Sequence, residues 1–366
     1  MPFALHLSPL TLILRICAEN GALGQVSSTM SLLYYISRVH ICRLTVPVPH
    51  GGYTNAILYR VATNHLTRNH PSRFKIPPIP VSIQLSFVRR TRVGFATVSV
   101  QDIKLGARMS TINVTLSQER QPKPGESAKD NLPLEEKIVG YITLSPADFD
   151  DKKSISKSNW TLHPPPASGS KPGGGVDLAA LAATGCDGEW LRYKETPFIA
   201  ASNHIELFGP KSHGPPDAIR NQEIEQWARF RPGGQTTTAR WTNEALMYLL
   251  DVLPRGLDKI GALEMASRGL QPSDGDRDEY GYRNRFWFPT VTMNIDLKQS
   301  LPLEGVEWLY SRVVTKTVQG GRSDLDIVIL DENGELVALS TQVGLVVGAD
   351  RNLGPHSTIK GAEGKL

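Results

Sequence analysis

Three polar side chains in the second half of the sequence stand among apolar or small neighbours, and each is a type that can handle a water molecule. Asp251 closes the apolar run MYLLDV, shortly before Pro254. A carboxylate there either ends an exposed last helical turn or sits at a pocket mouth, since a buried, unpaired charge is costly and needs a partner. Thr292 lies in TVTMNIDL, where strict alternation puts Thr292, Asn294 and Asp296 on one face and Val291, Met293, Ile295 and Leu297 on the other. That face is either the solvated side of a strand or the polar wall of a site. Gln342 shares a strand face with Ala338, Ser340 and Gly344. Small neighbours leave room beside an amide that can hold a water, although a surface glutamine reads the same way. Two glycine features complete the set, Gly51-Gly52 and Gly320-Gly321-Arg322. A glycine at a helix start lets a ligand approach free N–H groups, and a glycine pair is also an ordinary turn signal.

Other chemistries fail on pattern. The sequence has no GxSxG elbow, P-loop, HExxH or GxGxxG opening a helix after a strand, and His50, His65, His204 and His213 lack metal-ligand spacing. Cys17, Cys42 and Cys186 are too far apart for a zinc site or a disulfide framework, so the sequence predicts a reducing compartment, no metal and no cofactor.

The elements that must position these residues are arranged in a repeated order. A helix opens at Gly51 (GGYTNAILYRVATNHL) and is followed by β-patterned runs at 81–90, 94–101, 108–117 and 138–145. After a Pro-, Gly- and Ser-rich stretch at 151–190 come a short strand at 223–230 and a helix at 240–252. Strands follow at 290–297, 308–317 and 324–347, the last divided by a turn at Glu332-Asn333-Gly334. Ile57, Leu58, Val61, Ala62 and His65 fall at helical spacing in the first helix, and Ala245, Leu246, Leu249 and Leu250 in the second. One apolar helix followed by antiparallel strands on short connections predicts an α+β fold in which each sheet wraps a central helix, a double hot-dog. The expected division is an atypical leader at 1–45, a first repeat at 46–150, a linker at 151–190, a second repeat at 191–350 and a tail at 351–366.

Several stretches are more specific. They are VPHGGYTNAILYR, SFVRRTRVGFATVSV and KLGARMSTINVTLSQ in the first half, and EQWARFRPGG, EALMYLLDVLP and WLYSRVVTKTVQGGRSDLDIVILDENGELVALSTQVGLV in the second. Over roughly residues 47–347 they resemble the acyl-CoA thioesterase II family, and more closely the thioesterase-like proteins common in fungal genomes and metabolite clusters. The resemblance implies an acyl-thioester hydrolase of lipid or secondary-metabolite biosynthesis. It implies a catalytic set of Asp251, Thr292 and Gln342 that holds one water, with Asp251 as general base and no covalent intermediate. It makes the first half a non-catalytic repeat in which Gly51 and Gly52 are structural, and directs the search for an oxyanion donor to the start of the second helix. It also implies a first strand before GGY, a place where residues 1–45 carry no clean strand alternation. An acyltransferase or a non-catalytic acyl-binding protein of the same fold is the alternative.

The chain of 366 residues has 40% hydrophobic and 21% charged residues and a formal charge of +4. Its cations are scattered rather than striped, which argues against a nucleic-acid surface. No uninterrupted apolar run reaches the roughly 18 residues of a membrane span. The apolar stretch Phe3–Ala18 lacks a basic leader and is broken by His6, Pro9 and Arg15, so it is not read as a secretion signal. Gly364-Lys365-Leu366 is one residue away from a Ser-Lys-Leu peroxisomal address. The expected setting is cytoplasmic with that weak peroxisomal signal, the expected partner is an acyl-CoA or related thioester, and a homo-oligomer stays open.

Overall fold

The computed structural model describes residues 10–16, 49–122, 132–147, 160–166, 175–193, 204–211, 223–232, 239–251 and 286–348. Most of the leader, residues 151–159 and 167–174, His213, Cys17, Cys42 and the carboxyl-terminal Gly364-Lys365-Leu366 lie outside them.

The first half runs β1 (Leu10–Ile16), α1 (Gly51–Asn69), β2 (Ile79–Phe87), β3 (Gly94–Leu105), β4 (Ser110–Glu119) and β5 (Leu134–Ser145). The second contains α2 (Leu178–Thr184), β6 (Trp190–Arg192), β7 (Ile205–Pro210), β8 (Glu223–Phe230) and α3 (Asn243–Leu249). It closes with β9 (Phe286–Trp287), β10 (Thr290–Leu297), β11 (Trp308–Gln319), β12 (Arg322–Leu330), β13 (Leu336–Leu345) and β14 (Val347–Gly348). Twelve strands form one sheet in the order β1-β3-β4-β5-β2-β10-β13-β12-β11-β8-β7-β6. Read outward from the central β2–β10 pair, the left side gives 2-5-4-3-1 and the right side 10-13-12-11-8. The repeat of element order is therefore a repeat of topology, the double hot-dog. The seam is antiparallel, with Met293 opposite Leu85 and Ile295 opposite Ile83.

The leader supplies the strand whose alternation the sequence hides, since Leu10–Ile16 pairs antiparallel with β3, Leu10 against Val100 and Ile16 against Gly94. The 151–190 segment also carries structure. Its α2 is capped by Asp177, whose carboxylate accepts from the Ala180 N–H, and ends at Gly185 with φ 79°. Val176, Leu181 and Trp190 from this region pack with Phe208, Trp227, Trp308 and Tyr310 in a second, smaller core on the outer face of the second half.

The main core lies between the concave sheet and the two central helices. Helix α1 is buried almost all round from Gly52 to Leu66, as expected of a helix the sheet wraps. Leu58 and Leu66 are fully buried, each contributing about 1.5–3 kcal/mol. The helix stops where Pro71 removes the next N–H, with the His70 N–H donating to the Leu66 carbonyl. Helix α3 is shorter than its 240–252 pattern because Trp241 bridges Val306 in extended conformation. The helix then starts at Thr242, whose hydroxyl accepts from the Ala245 N–H.

Candidate active site

Helices α1 and α3 pack antiparallel, so the start of α1 meets the end of α3. The contact is close because Gly52 has no side chain; a Cβ there would lie 2.8 Å from the Met247 carbonyl oxygen and 2.9 Å from the Tyr248 backbone. At the far end of the pair, Arg60 donates to Glu244 Oε2 from Nε (2.9 Å) and Nη2 (2.6 Å). This ion pair is mostly buried and fixes the register between the helices.

At the near end, the chain leaving α3 directs Asp251 back at α1. Its side chain is 6% exposed. The Gly52 N–H donates to Oδ2 (2.8 Å), and the Thr290 hydroxyl donates to Oδ1 (2.8 Å). Among the described residues each carboxylate oxygen thus holds one hydrogen bond, which leaves a further lone pair. The N–H comes from the positive end of a 19-residue helix. Gly51 also leaves room by necessity, since a Cβ would stand 2.5 Å from Asp251 Oδ2.

Gln342 is 7% exposed, and its Nε2 donates to the carbonyl of Leu250, the residue before Asp251. Its cross-strand neighbour is the fully buried Met293. The Ala338, Ser340, Gln342 and Gly344 face expected from the sequence is the helix-facing one. Asp251 and Gln342 are therefore brought together.

Thr292 is not brought to them. The β10–β13 register shifts between Thr290 and Thr292, so that Thr290 faces Gly344 while Thr292 faces Val343. This bulge inserts Val291 and turns Thr290 to the side of Met293 and Gln342, leaving Thr292 on the outer face with Ser86 and Val343. The hydroxyl on Asp251 belongs to Thr290, and Thr292, expected beside Asp251 from the resemblance, lies two residues further along on the other side of the bulge. Pro289 next to the bulge was the available signal, because the Leu345 N–H pairs with the Pro289 carbonyl across the irregularity.

Two other expectations also change. The N–H groups at the site come from the start of α1, not α3, whose start is occupied by Thr242 and by Asn243 accepting from the Leu301 N–H. Gly51 and Gly52, read as structural parts of a non-catalytic repeat, line the site itself. The Gly320-Gly321 pair is a turn, both residues with positive φ (58° and 73°), between β11 and β12.

Aromatic rings pack beside Asp251. His50 precedes α1, its Nε2 3.7 Å from Asp251 Oδ2 and its ring 4.7 Å from that of Tyr248. Tyr248 also meets His204 edge-on at 6.3 Å. Burial and the Asp251 carboxylate hold the Tyr248 hydroxyl above its usual range, so it stays protonated. Burial, with a smaller effect of His50, pulls the His204 imidazole down to about 4.

A carboxylate oriented by two donors, beside a buried amide and a helix start, is the equipment of general-base chemistry on a polarised carbonyl. Comparison with known proteins agrees with that class. Residues 43–139 match the acyl-CoA thioesterase N-terminal domain and residues 176–346 the acyl-CoA thioesterase C-terminal domain.

This chain belongs to the acyl-CoA thioesterase family.

It is a hydrolase of that family, acting on acyl thioesters. It is 28% identical over 321 residues to the thioesterase-like protein TwmA of Talaromyces wortmannii, covering 85% of this chain and 87% of that one. Two solved structures share the fold. A Thermobifida fusca YX protein described as a thioesterase II has 17% identity and a TM-score of 0.50, covering 82% of this chain and 87% of that chain. A Novosphingobium aromaticivorans protein described as a thioesterase has 14% identity and a TM-score of 0.50, covering 83% and 90%. Among the described residues of this thioesterase, no helix is long and apolar enough to cross a membrane.

Proposed function

We propose that this thioesterase hydrolyses an acyl-CoA or related acyl thioester by direct attack of one water, with Asp251 as general base and Thr290 and Gln342 positioning the base and the water. The observation that carries the reading is the Asp251 carboxylate, fixed by the Gly52 N–H and the Thr290 hydroxyl next to the Gln342 amide. Thr290 replaces Thr292 in this role.

The water lies between the free lone pairs of Asp251 and the Gln342 amide. Asp251 takes its proton as the oxygen attacks the thioester carbon. The carbonyl oxygen, gaining negative charge, turns toward the start of α1, where the helix dipole favours an anion. Collapse expels the thiolate, a good leaving group, and the proton on Asp251 returns to it. Thioesters carry little resonance stabilisation, so a positioned water and one base suffice. The likeness to the thioesterase-like protein TwmA supports an acyl thioester as the substrate.

The test is thiol release across a panel of acyl-CoA and acyl-carrier substrates with no acceptor present. Asp251→Asn is expected to lower kcat/KM by at least about a hundredfold, the usual scale for a lost general base. An unchanged rate in that variant would sink the proposal. Tight acyl-CoA binding without thiol release would point instead to a transferase or a binding protein.

A further inference from the structure

The first half contains a second cluster of ligand-type side chains, far from Asp251 at the other end of α1. His65 Nε2 lies 2.8 Å from Asp102 Oδ1, and His70 Nε2 lies 2.8 Å from Asp102 Oδ2. The donor atoms of all three residues fall within 4.8 Å of one another. We infer that His65, His70 and Asp102 bind a divalent transition-metal cation, with zinc the best chemical match, and that the ion clips the end of α1 to strand β3.

The sequence hid this site for a physical reason. Residues five apart on a continuous helix point about 140° apart at 3.6 residues per turn, so the His65–His70 spacing reads as unrelated. The helix ends at Asn69, and His70 takes φ −129° and ψ 51°, which swings its imidazole back beside that of His65. Asp102 is presented by a second irregularity, a register shift between Asp102 and Lys104 in the β3–β4 ladder. Bulges of this kind re-aim side chains beside sites.

Two features favour a metal over a purely hydrogen-bonded triad, and a third accommodates one. The donor set of two imidazoles and one carboxylate suits zinc and its neighbours, whereas magnesium and calcium prefer all-oxygen cages. With zinc bonds of about 2.0–2.2 Å, the 2.8 Å nitrogen–oxygen separations need to open by only about half an ångström. The other ring nitrogen of His65, Nδ1, lies 3.0 Å from the Asn69 side-chain amide. In the orientation shown, Asn69 Nδ2 donates to Nδ1 and Nε2–H donates to Asp102; exchanging the nitrogen and oxygen of that amide lets its oxygen accept from Nδ1–H and frees the Nε2 lone pair for an ion. Such an outer partner is how ligating histidines are oriented. His65 is 6% exposed, while His70 and Asp102 are 23% and 20% exposed, so the ion has an entry path and a position open to water.

The test uses tag-free full-length protein, stripped with chelator and titrated with zinc chloride and cobalt chloride. One ion per chain should bind, and cobalt should show the visible ligand-field absorption of a low-coordinate nitrogen and oxygen site. At free zinc of about 100 times Kd, the unfolding equilibrium constant should fall about a hundredfold. His65→Ala, His70→Ala and Asp102→Asn should each abolish stoichiometric binding. Asn69→Leu keeps all three ligands and should weaken binding by about tenfold or more. Thermal melts in chelator report whether each variant folds, and the partly exposed His70 provides the variant least prone to unfolding. Thiol release by His70→Ala should match that of the parent. Absence of a tightly bound ion, or binding retained in His70→Ala and Asp102→Asn, would overturn the assignment in favour of hydrogen bonds alone.

Discussion

Thr290→Val and Thr292→Val form a matched pair that separates the proposed mechanism from its nearest competitor. Valine keeps the shape of threonine and removes only the hydroxyl. At position 290 that hydroxyl donates to Asp251 Oδ1 at 2.8 Å, and a hydrogen bond to a charged group contributes about 1.5–3 kcal/mol. If the bond is fully used in the transition state, where the carboxylate must keep its orientation while taking a proton, its loss lowers kcat/KM by roughly 10- to 150-fold at about 1.4 kcal/mol per tenfold. At position 292 the side chain faces away from the helices beside Ser86 and Val343. Its truncation should stay within about twofold, the scale of a surface change of about 0.5 kcal/mol. The assay is thiol release under kcat/KM conditions, with melts to confirm equal folding. Thr290→Val added to Asp251→Asn should cost little more, because the two groups act as one unit. The reasoning is refuted if Thr292→Val is the damaging change and Thr290→Val is silent, since the bulge would then not exist in the working enzyme.

Four further outcomes follow from the same geometry. Gly52→Ala should destabilise the fold by about 1–3 kcal/mol, the usual cost of overpacking, because its methyl meets the Met247 and Tyr248 backbone; denaturant titration measures it. Gly51→Ala should instead lower kcat more than stability, its methyl pressing on Asp251 Oδ2, and equal losses of both would argue against a role at the base. Arg60→Met should cost about 3–5 kcal/mol by leaving Glu244 buried and unpaired, whereas Arg60→Met with Glu244→Leu should recover most of that. His204 has a folded-state value of about 4 against 6.5 unfolded. The unfolded chain therefore binds the extra proton between these values, and stability falls as pH drops from about 6.5 to 4, by about 3 kcal/mol at 1.36 kcal/mol per unit. His204→Phe should flatten that part of the pH–stability curve.

The parts of this fold that were legible in the sequence are those where a local pattern and the tertiary environment agree. Strands 223–230 and 290–297 were read to the residue. Asp251 and Gln342 were readable because each is a polar side chain in a context that otherwise asks for burial. Departures from the regular ladder were not legible. The bulge at Val291 hid Thr290, the one at Asp102–Lys104 hid the His65, His70 and Asp102 cluster, and the strand at Leu10–Ile16 has no alternation because its order comes from pairing with β3. The role of Gly52 was invisible for another reason: a backbone N–H has no residue type, and its partner lies 199 positions away.

That separation has a consequence for how the enzyme behaves on dilution. The carboxylate comes from one half, and the N–H and glycine space that seat it come from the other. If the halves were separate chains, the fraction of complete sites would fall with protein concentration as the pair dissociated. Tethering them in one polypeptide makes their association intramolecular, and the β2–β10 seam adds a continuous row of backbone pairing. Specific activity should therefore stay constant down to the lowest enzyme concentrations an assay can read.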